Sequence, residues 1–186
     1  MSNTNPKLGR LAKLGLLAAL SIVLVFFIHF PIFPTAKFLE YDPADIPIMI
    51  ATFAFGPWYG LMTTIVVAVV QGLTVSASSG IYGIIMHIIA TGAYVLASGL
   101  FYRKHKTKKL AAVSLLIGTA AMVVCMFFAN LVITPYLMMG AVNKETVSVV
   151  LSLMPFILLF NLLKAGINGA ITFFLYKRVK HLFFKD

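Results

Sequence analysis

The chain has 186 residues, of which 61% are hydrophobic and only 11% charged, and its mean hydropathy is +0.99. A soluble domain of this size could not cover so much apolar surface, so the composition indicates an integral membrane protein. The formal net charge of +10 does not indicate nucleic-acid binding, because the basic residues cluster at segment ends and never line a face with interleaved aromatics.

Six hydrophobic stretches predict an all-α integral membrane protein, a compact bundle formed by residues 1–186 as one domain, with helices at about 11–30, 46–56, 60–75, 80–102, 110–137 and 149–177. The first resembles a signal peptide, but its apolar core is too long and no cleavage site follows it. Gly56-Pro57 predicts a turn between the second and third helices, which are short and would cross shallowly or tilted. Pro155 predicts the first turn of the sixth helix.

The distribution of basic residues decides how many times the chain crosses the membrane. If residues 46–75 formed one kinked helix, five spans would place the N-terminal and C-terminal basic clusters on opposite sides. Six spans instead place both termini and the basic loop at 103–109 on one side. Because positive residues favour the cytoplasmic side, we predict six spans with the N- and C-termini in the cytoplasm.

Lys164 is the only charge in the apolar stretch from 147 to 176. An unpaired lysine near the bilayer midplane costs roughly 2.5–3.5 kcal/mol on insertion scales. Asn161 and Asn168 lie within about 20° of each other around the helix, and Lys164 lies within about 60° of them. Because this polar stripe is unfavourable against lipid, it predicts a ligand site inside the membrane protein.

Other polar residues fall at similar depths on different helices or in the loops above them. Together they predict an outward-facing pocket with a loop across its mouth. The predicted substrate-binding residues are Lys164, Asn161, Asn168, Asn130, Gln71, His87, Ser79, Glu40, Tyr41 and Asp42. Simpler interpretations stay open: the asparagines could bridge helices, His87 could be a structural hydrogen-bonding group, and the acidic loop could be solvated.

Helix one carries small residues at helical spacing, namely Ala12, Gly15 and Ala19. Such residues let another helix approach closely, either from a partner protein or from within the bundle. The pattern therefore predicts a docking surface or internal packing, and the spacing alone does not choose between them.

Motifs for several chemistries are absent from the sequence. It has no P-loop, so it cannot hydrolyse ATP in that way, and it lacks the H-E-x-x-H and G-x-S-x-G patterns of metalloproteases and serine hydrolases. The single cysteine, Cys125, excludes an intramolecular disulfide. These absences favour a binding protein without a catalytic centre or a metal site.

Two segments resemble a known family. Residues 38–47 read FLEYDPADIP, residues 54–60 read AFGPWYG, and residues 161–164 add a late Asn-Leu-Leu-Lys. This combination resembles the riboflavin-specific S components of energy-coupling factor (ECF) transporters, and the size and topology fit the same family. The resemblance covers the whole chain, although S components for other vitamins share parts of it.

The resemblance implies a high-affinity vitamin-capture subunit in a bacterial cytoplasmic membrane, with its pocket toward the external face. It implies work with a transmembrane coupling protein and two ATPase subunits, which supply the energy. In the family, small residues on the first helix form the docking surface, which favours that role for Ala12, Gly15 and Ala19. Riboflavin would be the transported substrate, and no cofactor is expected.

The candidate residues suit a flavin. Lys164 can donate to a ring carbonyl, while Asn130 and Asn161 can both donate and accept along the ring edge. The ribityl hydroxyls would suit the acidic loop or the serines at 76–79. The alternatives are an S component for a different vitamin, a small integral-membrane enzyme using Lys164 or His87, and a structural protein.

Overall fold

A computed structural model of the chain describes residues 6–183. Six helices form most of this part, which agrees with the predicted number: α1 (Pro6–Phe27), α2 (Asp45–Phe55), α3 (Pro57–Leu73), α4 (Gly80–Tyr102), α5 (Lys108–Met139) and α6 (Lys144–Phe183). A short 3-10 helix, Ala77–Ser79, precedes α4. The fold is not purely helical, because residues 28–44, called here the first loop, contain two antiparallel strands, β1 (Phe30–Pro31) and β2 (Glu40–Tyr41).

The centre of the bundle is α2, its shortest helix, which packs against α1, α3, α4 and α6. Ten of its eleven residues are buried. Its sequence is apolar on all sides after Asp45, which is the pattern of a helix surrounded by other elements. The helix ends at Gly56, whose φ of 109° a glycine adopts without steric cost. Pro57 then begins α3 with its φ already fixed, so the two helices share a tight turn.

The longest helix, α6, corrects one prediction. Pro155 does not open the helix but lies inside it, about three turns after its start at Lys144. Asn143 and Thr146 set that start, because each side chain accepts a hydrogen bond from the other's backbone N–H, at 2.9 and 3.0 Å. Proline is tolerated inside the helix because apolar membrane helices accommodate one missing backbone hydrogen bond.

The outside of the bundle is strongly apolar. Large hydrophobic side chains stand exposed along several helices, among them Leu16, Phe26 and Leu116 at 70%, 70% and 71% exposure. Within the described residues, α1, α4, α5 and α6 are long and apolar enough to cross a membrane. By contrast, α2 spans only about 16 Å at 1.5 Å per residue. It is therefore shorter than the hydrocarbon core, which is roughly 30 Å thick.

The first loop folds back over one end of the bundle, called here the first-loop end. Ala36 and Leu39 are buried there in a cluster with Val150, Met154 and Ile157 of α6. The loop is thus held down by apolar contacts as well as by its two strands. The opposite end carries the α2–α3 turn at Gly56 and the α4–α5 loop.

Candidate functional site

Beneath the first loop lies a cavity of about 140 Å³. Its walls come from α3, α4, α5 and α6, and the first loop covers it. Since one water needs roughly 10–15 Å³ of such space, the cavity can hold far more than a single solvent molecule. The polar groups that line it come from residues far apart in sequence: His29, Glu40, Asp42, Gln71, Ser76, Ser79, Tyr82, His87, Thr91, Asn130, Asn161 and Lys164.

Lys164 points into this cavity and not toward lipid. Its Nζ donates to Oδ2 of Asp42 at 2.7 Å, and both side chains are buried, at 9% and 3% exposure. Gln71 Nε2 also donates to that oxygen, at 3.3 Å. The ion pair compensates the cost of burying an ammonium in an apolar bundle. It also fixes the first loop to α6 across 122 positions of sequence.

The ionisation of Asp42 follows from this neighbourhood. Burial by itself would raise the pKa of the carboxyl, but Lys164, His87 and the backbone N–H of Ala44 together hold it below its usual range. Asp42 is therefore a carboxylate at neutral pH. The adjacent Tyr41 has a raised pKa, because its hydroxyl is desolvated and lies near Asp42, so it remains a neutral hydrogen-bond donor.

Asp45 is a second buried carboxylate, at 0% exposure, at the start of α2. Thr91 donates to its Oδ1 at 2.7 Å, and Asn168 Nδ2 donates to its Oδ2 at 3.2 Å. His87 Nε2 lies 3.9 Å from Oδ1 and, within residues 6–183, has no hydrogen-bond partner. Gln71 Oε1 is also buried without one in that range. Because buried polar atoms normally find partners, these two atoms at the cavity wall are suited to a ligand or to water.

Asn161 and Asn130 face the cavity from α6 and α5. Asn161 Nδ2 donates to its own helix at Ile157 O (2.8 Å), and Asn130 Nδ2 does the same at Met126 O (2.8 Å). Asn130 Oδ1 accepts from Thr134 at 2.9 Å. These bonds hold each amide in one orientation while keeping it in the cavity wall, which is how a binding site presents fixed polar groups.

At the mouth of the cavity, the two ends of the first loop meet through a polar contact. His29 Nε2 lies 2.7 Å from Glu40 Oε2, and both side chains are partly exposed. Elsewhere in the cavity wall, the hydroxyl of Tyr82 lies 3.0 Å from that of Thr134. These lining groups can exchange their bonds for bonds to a hydroxylated ligand.

Eight of the ten residues predicted to bind substrate line this cavity, and they are Lys164, Asn161, Asn130, Glu40, Asp42, Gln71, Ser79 and His87. Tyr41 and Asn168 do not line it: the Tyr41 hydroxyl donates to Asn168 Oδ1 at 2.8 Å, and Asn168 Nδ2 donates to Asp42 O at 3.0 Å. In the structure these two residues anchor the first loop, and their contact with substrate stays a prediction.

Two members of the site were not among the predicted residues. His29 lines the cavity, yet nothing in its position after an apolar helix distinguishes it in sequence. Asp45 is not among the substrate-binding residues predicted from the sequence. Its signal was present, since an acidic residue directly before an uncharged run is typical of a helix N-terminus.

A bundle of apolar helices that encloses a covered polar cavity defines a membrane protein that binds a small molecule. The family model described as "ECF transporter, substrate-specific component" matches residues 9–176. The chain therefore belongs to the substrate-specific (S) components of ECF transporters. It is a substrate-binding transport component and not an enzyme.

Individual relatives agree with this assignment. The chain is 30% identical over 128 residues to the riboflavin transporter FmnP of Bacillus subtilis, covering 68% of this chain and 67% of that protein. It is 28% identical to the riboflavin transporter RibU of Staphylococcus aureus, covering 91% and 89%. The riboflavin transporter RibU of Streptococcus thermophilus is also 28% identical, and the match covers 70% of this chain but only 60% of the Streptococcus protein.

Two solved structures share the fold. The S component of a bacterial ECF transporter superposes with a TM-score of 0.75 at 27% identity, covering 96% of this chain and 99% of that one. ThiT from Listeria monocytogenes superposes with a TM-score of 0.65 at 20% identity and the same coverage. The second likeness concerns the fold alone.

Proposed function

We propose that this chain is the riboflavin-binding subunit of an ECF transporter. The observation that carries the proposal is the covered cavity in which Lys164, Asn161 and Asn130 meet from α5 and α6. The relatives that are named riboflavin transporters support the choice of substrate. One ammonium and two oriented amides match the carbonyl and imide groups along the edge of an isoalloxazine ring.

The remaining lining residues are assigned to parts of riboflavin by their chemistry. Glu40, His29 and Ser79 at the mouth suit the ribityl hydroxyls, and the apolar lining from Met122, Met126 and other residues suits the flat ring. Gln71 and His87 offer further hydrogen bonds from α3 and α4. No covalent step is needed, because these residues only orient and select the substrate.

Purification in detergent followed by titration with riboflavin tests the proposal. Because bound flavin is quenched by surrounding groups, we expect a yellow protein that quenches riboflavin fluorescence at one-to-one stoichiometry. Thiamine and biotin at the same concentration serve as competitors and should displace nothing. Colourless protein that leaves the fluorescence unchanged would reject riboflavin as the substrate, and displacement by another vitamin would identify a different S component.

The proposed setting is a bacterial cytoplasmic membrane, with residues 1–186 forming one six-span domain. Two observations support it: the exposed apolar surface of the bundle, and the basic residues at the N-terminus and in the loop at 103–109. Both termini would then be cytoplasmic and the first-loop end external, so the cavity would capture substrate from outside. A transmembrane coupling protein and two ATPase subunits would complete the transporter.

The exposed face of α1 is the proposed docking surface for the coupling protein. Ala12, Gly15 and Ala19 all lie on it, and a Cβ added at Gly15 would meet no atom within 4 Å. We expect Ala19→Trp to leave riboflavin binding unchanged but to lower uptake by about 10–100-fold, since overpacking a close contact costs about 1–3 kcal/mol. Radiolabelled uptake in cells that also express the energising subunits provides the measurement.

The matched control for this variant is Leu20→Trp, which adds a similar ring about 100° away around the same helix. Its uptake should stay near that of the wild type. Normal uptake by the Ala19 variant, or equal loss in both variants, would contradict docking through the small-residue face.

A further inference from the structure

A second cavity, of about 320 Å³, lies at the opposite end of the bundle from the first loop. Its walls are the α2–α3 turn, the end of α4 and the loop that follows α4. The side chains that give it its chemistry are Phe55, Trp58, Tyr59, Tyr102, Arg103 and Lys106. We call this cavity the basic cleft, and none of its residues lines the cavity under the first loop.

The charge of the basic cleft is of one sign. Arg103 and Lys106 line it, and no acidic residue does. A third cation stands beside it, since Arg10 donates to the Tyr59 hydroxyl at 2.7 Å and lies 5.2 Å from the centre of that ring. Within residues 6–183 the Arg103 guanidinium has neither a hydrogen bond nor an ion pair. The cleft therefore has a guanidinium available for an anion.

The acidic residues of the described chain lie at the other end of the bundle. Glu40, Asp42 and Asp45 belong to the first loop and the start of α2, and Glu145 opens α6. None of them lines the cleft or forms an ion pair with Arg103, and Asp42 is paired with Lys164. Within the described residues, therefore, no carboxylate neutralises the Arg103 guanidinium. The uncapped N-terminus of α3 in its wall adds further positive potential.

The surroundings of the basic cleft are those of a membrane interface. Trp58 is 63% exposed at its rim, and amphipathic aromatic rings of this kind gather where the apolar core meets the headgroups. Beside Arg103, the exposed side chains of Leu100 and Phe101 continue the apolar surface of α4. A molecule that places an anion on Arg103 could therefore lay a hydrocarbon chain along α4.

We propose that the basic cleft binds the phosphate headgroup of an anionic phospholipid from the surrounding bilayer. The phosphate oxygens accept from the Arg103 guanidinium, whose planar fork matches a phosphate, while Lys106 adds charge. The acyl chains lie on the apolar surface beside Leu100. This site is independent of flavin binding and would anchor one end of the bundle at the level of the headgroups.

The only tryptophan of the chain, Trp58, lines the cleft and reports on its occupant. The protein is placed in nanodiscs of phosphatidylcholine with a minor fraction of phosphatidylglycerol whose acyl chains carry bromine, which quenches tryptophan fluorescence at contact. A second set carries the same fraction of brominated phosphatidylcholine. We expect brominated phosphatidylglycerol to be enriched at Trp58 over brominated phosphatidylcholine, by about fivefold for each cation that contributes. This factor follows from the usual attraction of about 1 kcal/mol between a basic residue and an anionic membrane surface.

Arg103→Gln should lower this enrichment about fivefold, whereas Lys177→Gln should not. Lys177→Gln is the matched control, because it removes a cation from the last turns of α6 and Lys177 does not line the cleft. Circular dichroism and a single elution peak verify that both variants fold. Equal quenching by the two brominated lipids, or equal loss in the two variants, would overturn the proposal. Loss of the enrichment in millimolar inorganic phosphate would assign the cleft to a free anion instead of a lipid.

Discussion

Replacing Lys164 by methionine should lower the affinity for riboflavin by roughly 10–100-fold. A hydrogen bond from a charged donor contributes about 1.5–3 kcal/mol, and each 1.4 kcal/mol is a factor of ten in affinity. Methionine keeps much of the volume and suits an apolar helix, so membrane insertion should not suffer. Fluorescence titration of the purified variant measures the affinity. Lys37→Met, which removes an exposed lysine from the first loop, is the control and should bind normally.

Lys164→Met also removes the ion-pair partner of Asp42. A second variant is therefore needed to separate the loss of a contact with flavin from the loss of this ion pair. Breaking a buried pair from one side costs about 3–5 kcal/mol, because it leaves an uncompensated charge. If Lys164 acts only by holding Asp42, then Asp42→Asn and the double variant should lose equal affinity. A direct contact with the flavin predicts that the double variant binds more weakly than Asp42→Asn alone. Wild-type affinity in Lys164→Met would remove this residue from the site.

Polar residues in the apolar helices were the most predictable part of the site. An ammonium or an amide in a span such as α6 or α5 stands out, because it is unfavourable unless it faces protein or ligand. Lys164, Asn161 and Asn130 are predicted as site residues in this way, and helical geometry predicts their approximate depth. The structure brings all three to one cavity.

The conformation of the first loop was not predictable by the same means. Its contacts with α6 join residues more than 120 positions apart, and a loop has no periodicity that would show which side chains turn inward. The sequence predicts that Asp42 contacts the ribityl chain but not that it pairs with Lys164, as it does in the structure, and its contact with substrate stays a prediction. The sequence predicts the first turn of α6 at Pro155, whereas the capping pair of Asn143 and Thr146 starts the helix about three turns earlier.

Asn168 is one of the residues through which α6 holds the first loop, and Asn168→Leu should loosen the loop. The amide is fully buried and makes three hydrogen bonds: it accepts from Tyr41 and donates to the Asp42 carbonyl and to Asp45. Leucine fills similar space but leaves these partners unsatisfied, at about 1–3 kcal/mol each. We expect riboflavin to dissociate more than about tenfold faster with little change in its association rate, since the loss affects the closed state.

Stopped-flow recovery of flavin fluorescence measures the rate of riboflavin release. Two further variants are compared with Asn168→Leu in the same experiment. Tyr41→Phe removes a single bond and should accelerate release less, whereas Ser148→Leu, at an exposed position near the start of α6, should change nothing. Trypsin gives a reading that does not depend on flavin, because cleavage after Lys37 should quicken as the first loop detaches. A first loop held mainly by the apolar cluster of Ala36 and Leu39 would stay closed without Asn168. If Asn168→Leu shows both the release rate and the cleavage rate of the wild type, that cluster and not Asn168 anchors the loop.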